Sequence, residues 1–176
     1  MEKGSINNFW SLNVYEVLVA TQLKKKFNKK DYEVFFPVNA QSEGIDLILF
    51  NKKTKKSITL QVKGSKRYDP LKRENNKHGE GGDAAGFSVL KTQSKPDFFI
   101  LFASKDCLVI PTNEFIEIRK KVLKFSPKAL WLRLFFYTKD KSRKAEVQCE
   151  EKKEFEIDLS KYLNDKGWDL IKKKIK

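Results

Sequence analysis

Asp46, Gln61 and Lys63 are the residues whose types and spacing suit metal-assisted hydrolysis. In SITLQVKGS (57–65), Ile58, Leu60 and Val62 alternate with Thr59, Gln61 and Lys63, the period of a strand with one apolar face. GIDLILF (44–50) precedes it across NKKTKK, so the two segments read as a hairpin. Symmetric pairing about that turn sets Phe50 against Ser57, Asp46 against Gln61 and Gly44 against Lys63. Facing side chains leave the same side of a sheet, with Cβ atoms about 4.5–5.5 Å apart. A carboxylate, an amide oxygen and an ammonium then converge at the strand ends remote from the turn. Gly44 leaves room beside Lys63, and Gly64 ends the strand with open backbone. The opposite face carries Ile45, Leu47, Leu49, Ile58, Leu60 and Val62, a surface for a covering helix. A slip of one residue would exchange the faces and dissolve the cluster.

Magnesium takes about six oxygens, commonly one or two carboxylates with waters and substrate phosphates. Asp46 offers a carboxylate, Gln61 a neutral amide oxygen and Val62 a strand carbonyl. Lys63 then lies where an attacking water would sit. The sequence leaves open whether it orients that water, helps remove its proton or stabilises charge growing on phosphorus. Q-x-K alone is common on plain surface strands. Asp46 is the stronger signal, because a carboxylate inside an apolar strand needs a partner or a metal.

These residues need elements to hold them. Asn13 is placed to cap a helix over VYEVLVATQLKKKF (14–27), whose lysines suit a helix C-terminus. YEVFFPV (32–38) reads as a strand stopped by Pro37. Residues 64–85 carry almost no apolar periodicity and read as one long loop, a length usually functional inside a compact domain. GFSVLK (86–91), DFFILFAS (97–104) and CLVIP (107–111) read as strands, Thr112 opens a helix, and ALWLRLFFY (129–137) reads as a late strand. SKYLNDKGWDLIKKKIK (160–176) closes as a basic helix broken near Gly167. The order predicts an α/β fold, a central mixed β-sheet flanked by helices, in a single domain over 1–176. Its core spans about 12–111, with C-terminal helix and strand additions over 112–176.

Composition bounds the function. A chain of 176 residues, 40% apolar, can bury a core without covalent staples. Two cysteines, Cys107 and Cys149, and one histidine, His78, argue against a Cys/His zinc site, and the cysteine usage fits a reduced, cytoplasmic setting. Neither a signal-like leader nor an apolar run of membrane-spanning length is visible. Lys and Arg number 37 against 23 acids, a net +14 that favours polyanions. Lys66, Arg67, Lys72, Arg73 and Lys77 follow the Q-x-K strand and are placed to meet a nucleic-acid backbone, though neighbouring acids nearly cancel them. Tyr68 is read as a loop anchor before a base-stacking residue, and His78 as a solvated loop residue. HGEGG (78–82) lacks the lysine of a nucleotide-binding loop.

A glutamate in a first helix, an aspartate in a following strand and a (D/E/Q)-x-K strand resemble the PD-(D/E)XK, restriction endonuclease-like nuclease superfamily. Here these are Glu16 in VYEVLVATQL, Asp46 in EGIDLILF, and Gln61 with Lys63 in QVKGS. The resemblance covers residues 12 to about 104. It implies Mg²⁺-dependent hydrolysis of phosphodiester bonds, usually in DNA, with Mn²⁺ substituting and Glu16 joining the metal cluster. Two copies are expected where both strands of a duplex are cut. Ile45 replaces the motif's proline, and Gln61 stands where an acid is commoner, removing one negative charge. Glu43, a substitute acid, falls on the face opposite Asp46 by alternation. Two other readings share the fold: a nucleic-acid-binding module that lost turnover through Gln61, and a junction-resolving or RNA-directed hydrolase.

Overall fold

A computed structural model describes residues 13–37, 44–65, 67–70, 82–89, 95–139, 141–149 and 152–176. Helix α1 (Val14–Lys26) starts at Asn13, whose Oδ1 accepts from Tyr15 N at 3.0 Å. The Glu16 carboxylate returns the bond by accepting from Asn13 N at 3.4 Å, a capping box. Strands β1 (Tyr32–Phe35), β2 (Leu47–Asn51) and β3 (Ser57–Gly64) follow as an antiparallel meander. The chain then lays down β4 (Arg67–Pro70) and β5 (Asp83–Phe87), and returns to pair β6 (Phe98–Ala103) parallel to β3. β7 (Asp106–Pro111), helix α2 (Thr112–Phe125), β8 (Leu132–Lys139), β9 (Ser142–Cys149) and β10 (Lys152–Asp158) come next. A 3₁₀ turn at Ser160–Tyr162 leads into helix α3 (Asp165–Ile175).

The strands form two five-stranded sheets. One is mixed, in the order β1-β2-β3-β6-β7; the other is antiparallel, β10-β9-β8-β5-β4. Each face of the mixed sheet has its own core. On one side Leu47, Leu49, Ile58, Leu60, Val62, Ile100 and Val109 pack under Val19 and Leu23 of α1 and Trp168 and Ile171 of α3. On the other, Phe99, Leu101, Leu108 and Ile110 meet Phe115, Ile118 and Val122 of α2 together with Phe87, Leu134, Phe136 and Val147 of the second sheet. The expected α/β fold, with a mixed sheet that has helices on both faces, is present; the addition is a second, antiparallel sheet that shares one of those faces with α2.

That second sheet recruits part of the stretch read as a loop. Residues 67–70 and 83–87 are strands because they hydrogen-bond to each other and to β8, although their own sequences are polar or small. Charged side chains help join the layers. Arg143 of β9 bonds Asp106 of β7 at 2.7 Å and Asp83 of β5 at 2.9 Å. Asp97, just before β6, accepts from Thr59 N at 2.8 Å, Thr59 Oγ1 at 2.9 Å and Lys174 Nζ of α3 at 2.7 Å. α3 is unbroken at Gly167. That glycine sits in its first turn, where a Cβ would lie 2.2 Å from the carbonyl oxygen of Tyr162, so close approach requires it. Among the described residues no helix is long and apolar enough to cross a membrane.

Candidate active site

The β2–β3 hairpin has the register expected from symmetry over Leu47–Leu60, Ile48–Thr59, Leu49–Ile58 and Phe50–Ser57. Its turn fixes that register. Asn51 N donates to Lys56 O and Lys55 N to Asn51 O, both at 2.8 Å, while Asn51 Oδ1 accepts from Lys53 N and Thr54 N. Lys55 takes the left-handed conformation (φ 61°) that closes the turn. At the far end the ladder stops at Leu47–Leu60, three pairs short of Gly44–Lys63. Asp46 N donates to Leu60 O at 2.9 Å, and the Asp46 carboxylate accepts from Val62 N at 2.6 Å. The facing pairs Asp46–Gln61 and Gly44–Lys63 therefore do not form. The carboxylate takes the N–H that a continuing ladder would use, and Gly44, at φ 65°, turns the chain away.

The start of α1 is seated on this end of β3. A Cβ on Gly64 would lie 2.0 Å from the Tyr15 ring, so the glycine is the floor on which the tyrosine packs and not open backbone as expected. Tyr15 Oη donates to Ser65 O at 3.2 Å, and its ring lies 6.2 Å from that of Phe102. Glu16, next in the chain, is thereby brought within the electrostatic reach of Asp46 and Lys63.

Both carboxyls titrate above their ordinary values. Burial is the main cause for Glu16, reinforced by the negative charge of Asp46 and opposed by the Asn13 hydrogen bond and Lys63. Burial also dominates for Asp46, opposed by the Val62 N–H and Lys63. Lys63 is half-buried, and its ammonium closes no ion pair among the described residues; it acts on both acids from a distance. Gln61 is 3% exposed, and strand alternation places it with Lys63 on the face away from α1. It has a bonding partner of its own. Glu16, Asp46 and Lys63 thus share one electrostatic neighbourhood, with Gln61 buried in the strand beneath it and Val62 contributing its N–H to Asp46.

Of the basic residues expected to meet a backbone, Arg67 begins β4 opposite Gly86. Lys66, Lys72, Arg73 and Lys77 lie outside the described residues, as do Glu43 and His78. Among the described residues no three Asp, Glu, His or Cys side chains gather as a metal cage. The donor set still suits a hard cation. Two half-buried carboxyls lie within electrostatic reach, the charge of Asp46 raising Glu16, and Asp46 Oδ1 takes no hydrogen bond among the described residues. Magnesium is commonly held by such a pair, with water and substrate oxygens completing its shell.

Tyr15 and Ser65 are parts of this site that sequence reasoning missed. The signal was present: a glycine directly after Q-x-K marks a place where another group comes close to the strand. The N-x-x-E spacing of Asn13 and Glu16 likewise announces the capping box that holds Glu16 in the first turn. Comparison with protein families, with curated proteins and with solved structures yields no significant match to this chain.

Proposed function

We propose that this protein is a Mg²⁺-dependent nuclease of the restriction endonuclease-like kind, hydrolysing phosphodiester bonds in nucleic acid, with DNA endonuclease activity foremost. The observation that carries the reading is the meeting of Glu16, Asp46 and Lys63 at one end of a mixed sheet, with both acids raised chiefly by burial and Glu16 raised further by the charge of Asp46. The arrangement follows the Glu…Asp…Q-x-K order of the resemblance, and the net charge of +14 favours a polyanionic substrate.

In this reading Asp46 and Glu16 hold the metal, with the Gln61 amide oxygen or the Val62 carbonyl completing the protein's share. The bound ion would supply Lewis-acid stabilisation of charge on the phosphate and ease deprotonation of water. Lys63 orients the attacking water and stabilises the anionic phosphorane oxygens as they develop. The Val62 N–H holds Asp46 in place, and the Tyr15–Gly64 contact holds Glu16 above it. A module that binds nucleic acid without cutting is the second reading. It is favoured by one feature: the buried, neutral Gln61 withholds a negative charge from the cation.

The test is cleavage of supercoiled plasmid and single-stranded DNA at low salt, with Mg²⁺, Mn²⁺ or EDTA. The variants are Asp46→Asn and Lys63→Ala; asparagine keeps an acceptor for the Val62 N–H while removing the charge. Metal-dependent cutting by the wild type alone supports the nuclease. Cutting that persists in both variants sinks it, and salt-sensitive binding indifferent to EDTA, without cutting, favours the binding module.

A further inference from the structure

From Ile118 to Lys139 the chain carries seven cationic residues (Arg119, Lys120, Lys121, Lys124, Lys128, Arg133 and Lys139) and no acid. This contrasts with the 64–85 stretch, where acids nearly cancel the bases. The segment spans the later turns of α2, the turn at 126–129 and strand β8. Three large apolar side chains stand out from its surface: Phe125 is 40% exposed, Leu130 56% and Trp131 43%. Phe125 continues the Phe115–Ile118–Val122 stripe past the end of the core, and Lys121 lies one helical turn before it. Lys121, Lys124 and Lys128 are exposed in the same stretch of chain, whereas Lys120 is paired with Glu117.

The patch connects to the candidate site through the sheets. Ser65, which follows β3, donates from Oγ to Gly86 O at 3.4 Å, and Gly86 is the ladder partner of Arg133. Trp131 precedes Arg133 by two residues, so strand spacings put it on the order of 15 Å from Ser65.

We infer that Trp131 and Phe125, with the exposed Lys121, Lys124 and Lys128 of the same segment, form a platform that binds an unpaired nucleic-acid strand by base stacking and phosphate contact. The inference rests on the nuclease reading for the direction in which the strand runs, toward Asp46, but not for the binding itself. An unpaired strand fits better than a duplex because aromatic side chains stack only on bases that are themselves uncovered. A strand also fits better than a membrane surface. The apolar face of α2 is consumed by the core, leaving aromatics at a helix end and turn and no continuous apolar helix face.

The experiment is fluorescence anisotropy of a fluorescein-labelled oligothymidine 20-mer, titrated with the full chain in EDTA across a range of salt. Trp131→Ala is expected to weaken binding about tenfold, and Trp131→Phe to stay within about threefold of wild type. The double variant Lys121→Glu with Lys124→Glu is expected to shallow the salt slope by about 0.7 for each lost contact. Unchanged affinity in Trp131→Ala overturns the platform, as does an equal Trp131→Ala loss on a blunt duplex. Stronger partition onto phosphatidylserine vesicles than onto the oligonucleotide also overturns it. Because EDTA removes any need for cleavage, retained Trp131-dependent binding without cutting refutes the nuclease alone. Cutting by a Trp131→Ala protein of unchanged affinity refutes the platform alone.

Discussion

Strand β3 is held at two points by the same device, and the two behave oppositely. Near its start, Asp97 accepts from Thr59 N; near its end, Asp46 accepts from Val62 N. In both cases a carboxylate satisfies a strand N–H. At Asp97 burial would raise the carboxyl, but Lys174 and the two Thr59 donors outweigh it and hold the group below its ordinary value. At Asp46 burial prevails, because one N–H and a distant Lys63 do not offset it. A carboxylate with an ammonium in contact is finished structure. A half-buried carboxylate beside a second acid, with its ammonium held off, remains poised for a cation.

The comparison is broken most directly by removing each charge. Asp46→Asn is expected to lower Mg²⁺-dependent cleavage by about 10²–10³-fold with a near-native melting transition, whereas Asp97→Asn should leave cleavage within about twofold. A plasmid-nicking time course on the two proteins decides it; equal losses would erase the distinction. Gly64→Ala comes next. The added methyl meets the Tyr15 ring, so overpacking of about 1–3 kcal/mol is expected in urea unfolding, together with reduced cleavage as Glu16 is displaced. Full stability in this variant would show that the ring relocates without cost.

Smaller effects sharpen the same contrast. Asp46 and Glu16 titrate high when folded. The stability they contribute is therefore complete below the ordinary carboxylate values of 3.8 and 4.5, and is lost as pH rises through their raised folded values. Asp97 titrates low, so its contribution is present above 3.8 and is lost as pH falls through its lowered value. Melting curves from pH 4 to pH 7 should show Asp46→Asn gaining on wild type as pH rises. An unchanging difference would contradict the raised value. Saturating Mg²⁺ at tenfold over its dissociation constant should stabilise wild type by about 1.4 kcal/mol at neutral pH, less in acid and not in Asp46→Asn. Thermal shift with and without the ion measures this without reference to turnover.

Much of this strand was readable from the sequence. The period-two pattern and the NKKTKK turn specify four ladder pairs, and Asn13 and Thr112 start the first two helices as expected. The bond that ends the ladder was not readable, since a side chain bonding to backbone leaves no trace in apolar periodicity. The Tyr15–Ser65 contact spans fifty positions of sequence, beyond any local signal. The second sheet was hidden for another reason. Of its strands, RYDP, DAAGF, SRKAEVQC and KKEFEID have weak strand character, and pairing around β8 makes them strands. Gly167 misled because a glycine in a helical pattern reads as a break, whereas here it buys close packing in a first turn.

The excursion between β3 and β6 also bears on how the chain acquires its shape. In chain order the strands go to the first sheet, the second, the first again and the second again. During synthesis from the N-terminus, the inner edge of β3 waits for β6, and β5 waits for β8 across α2. The β3–β6 and β5–β8 pairings each span a long excursion of the chain, so non-local pairings govern the rate and folding should be slow for a chain of this size. Until β6 and β8 arrive, the open edges of β3 and β5 respectively are where a nascent chain is most exposed to pairing with a neighbour.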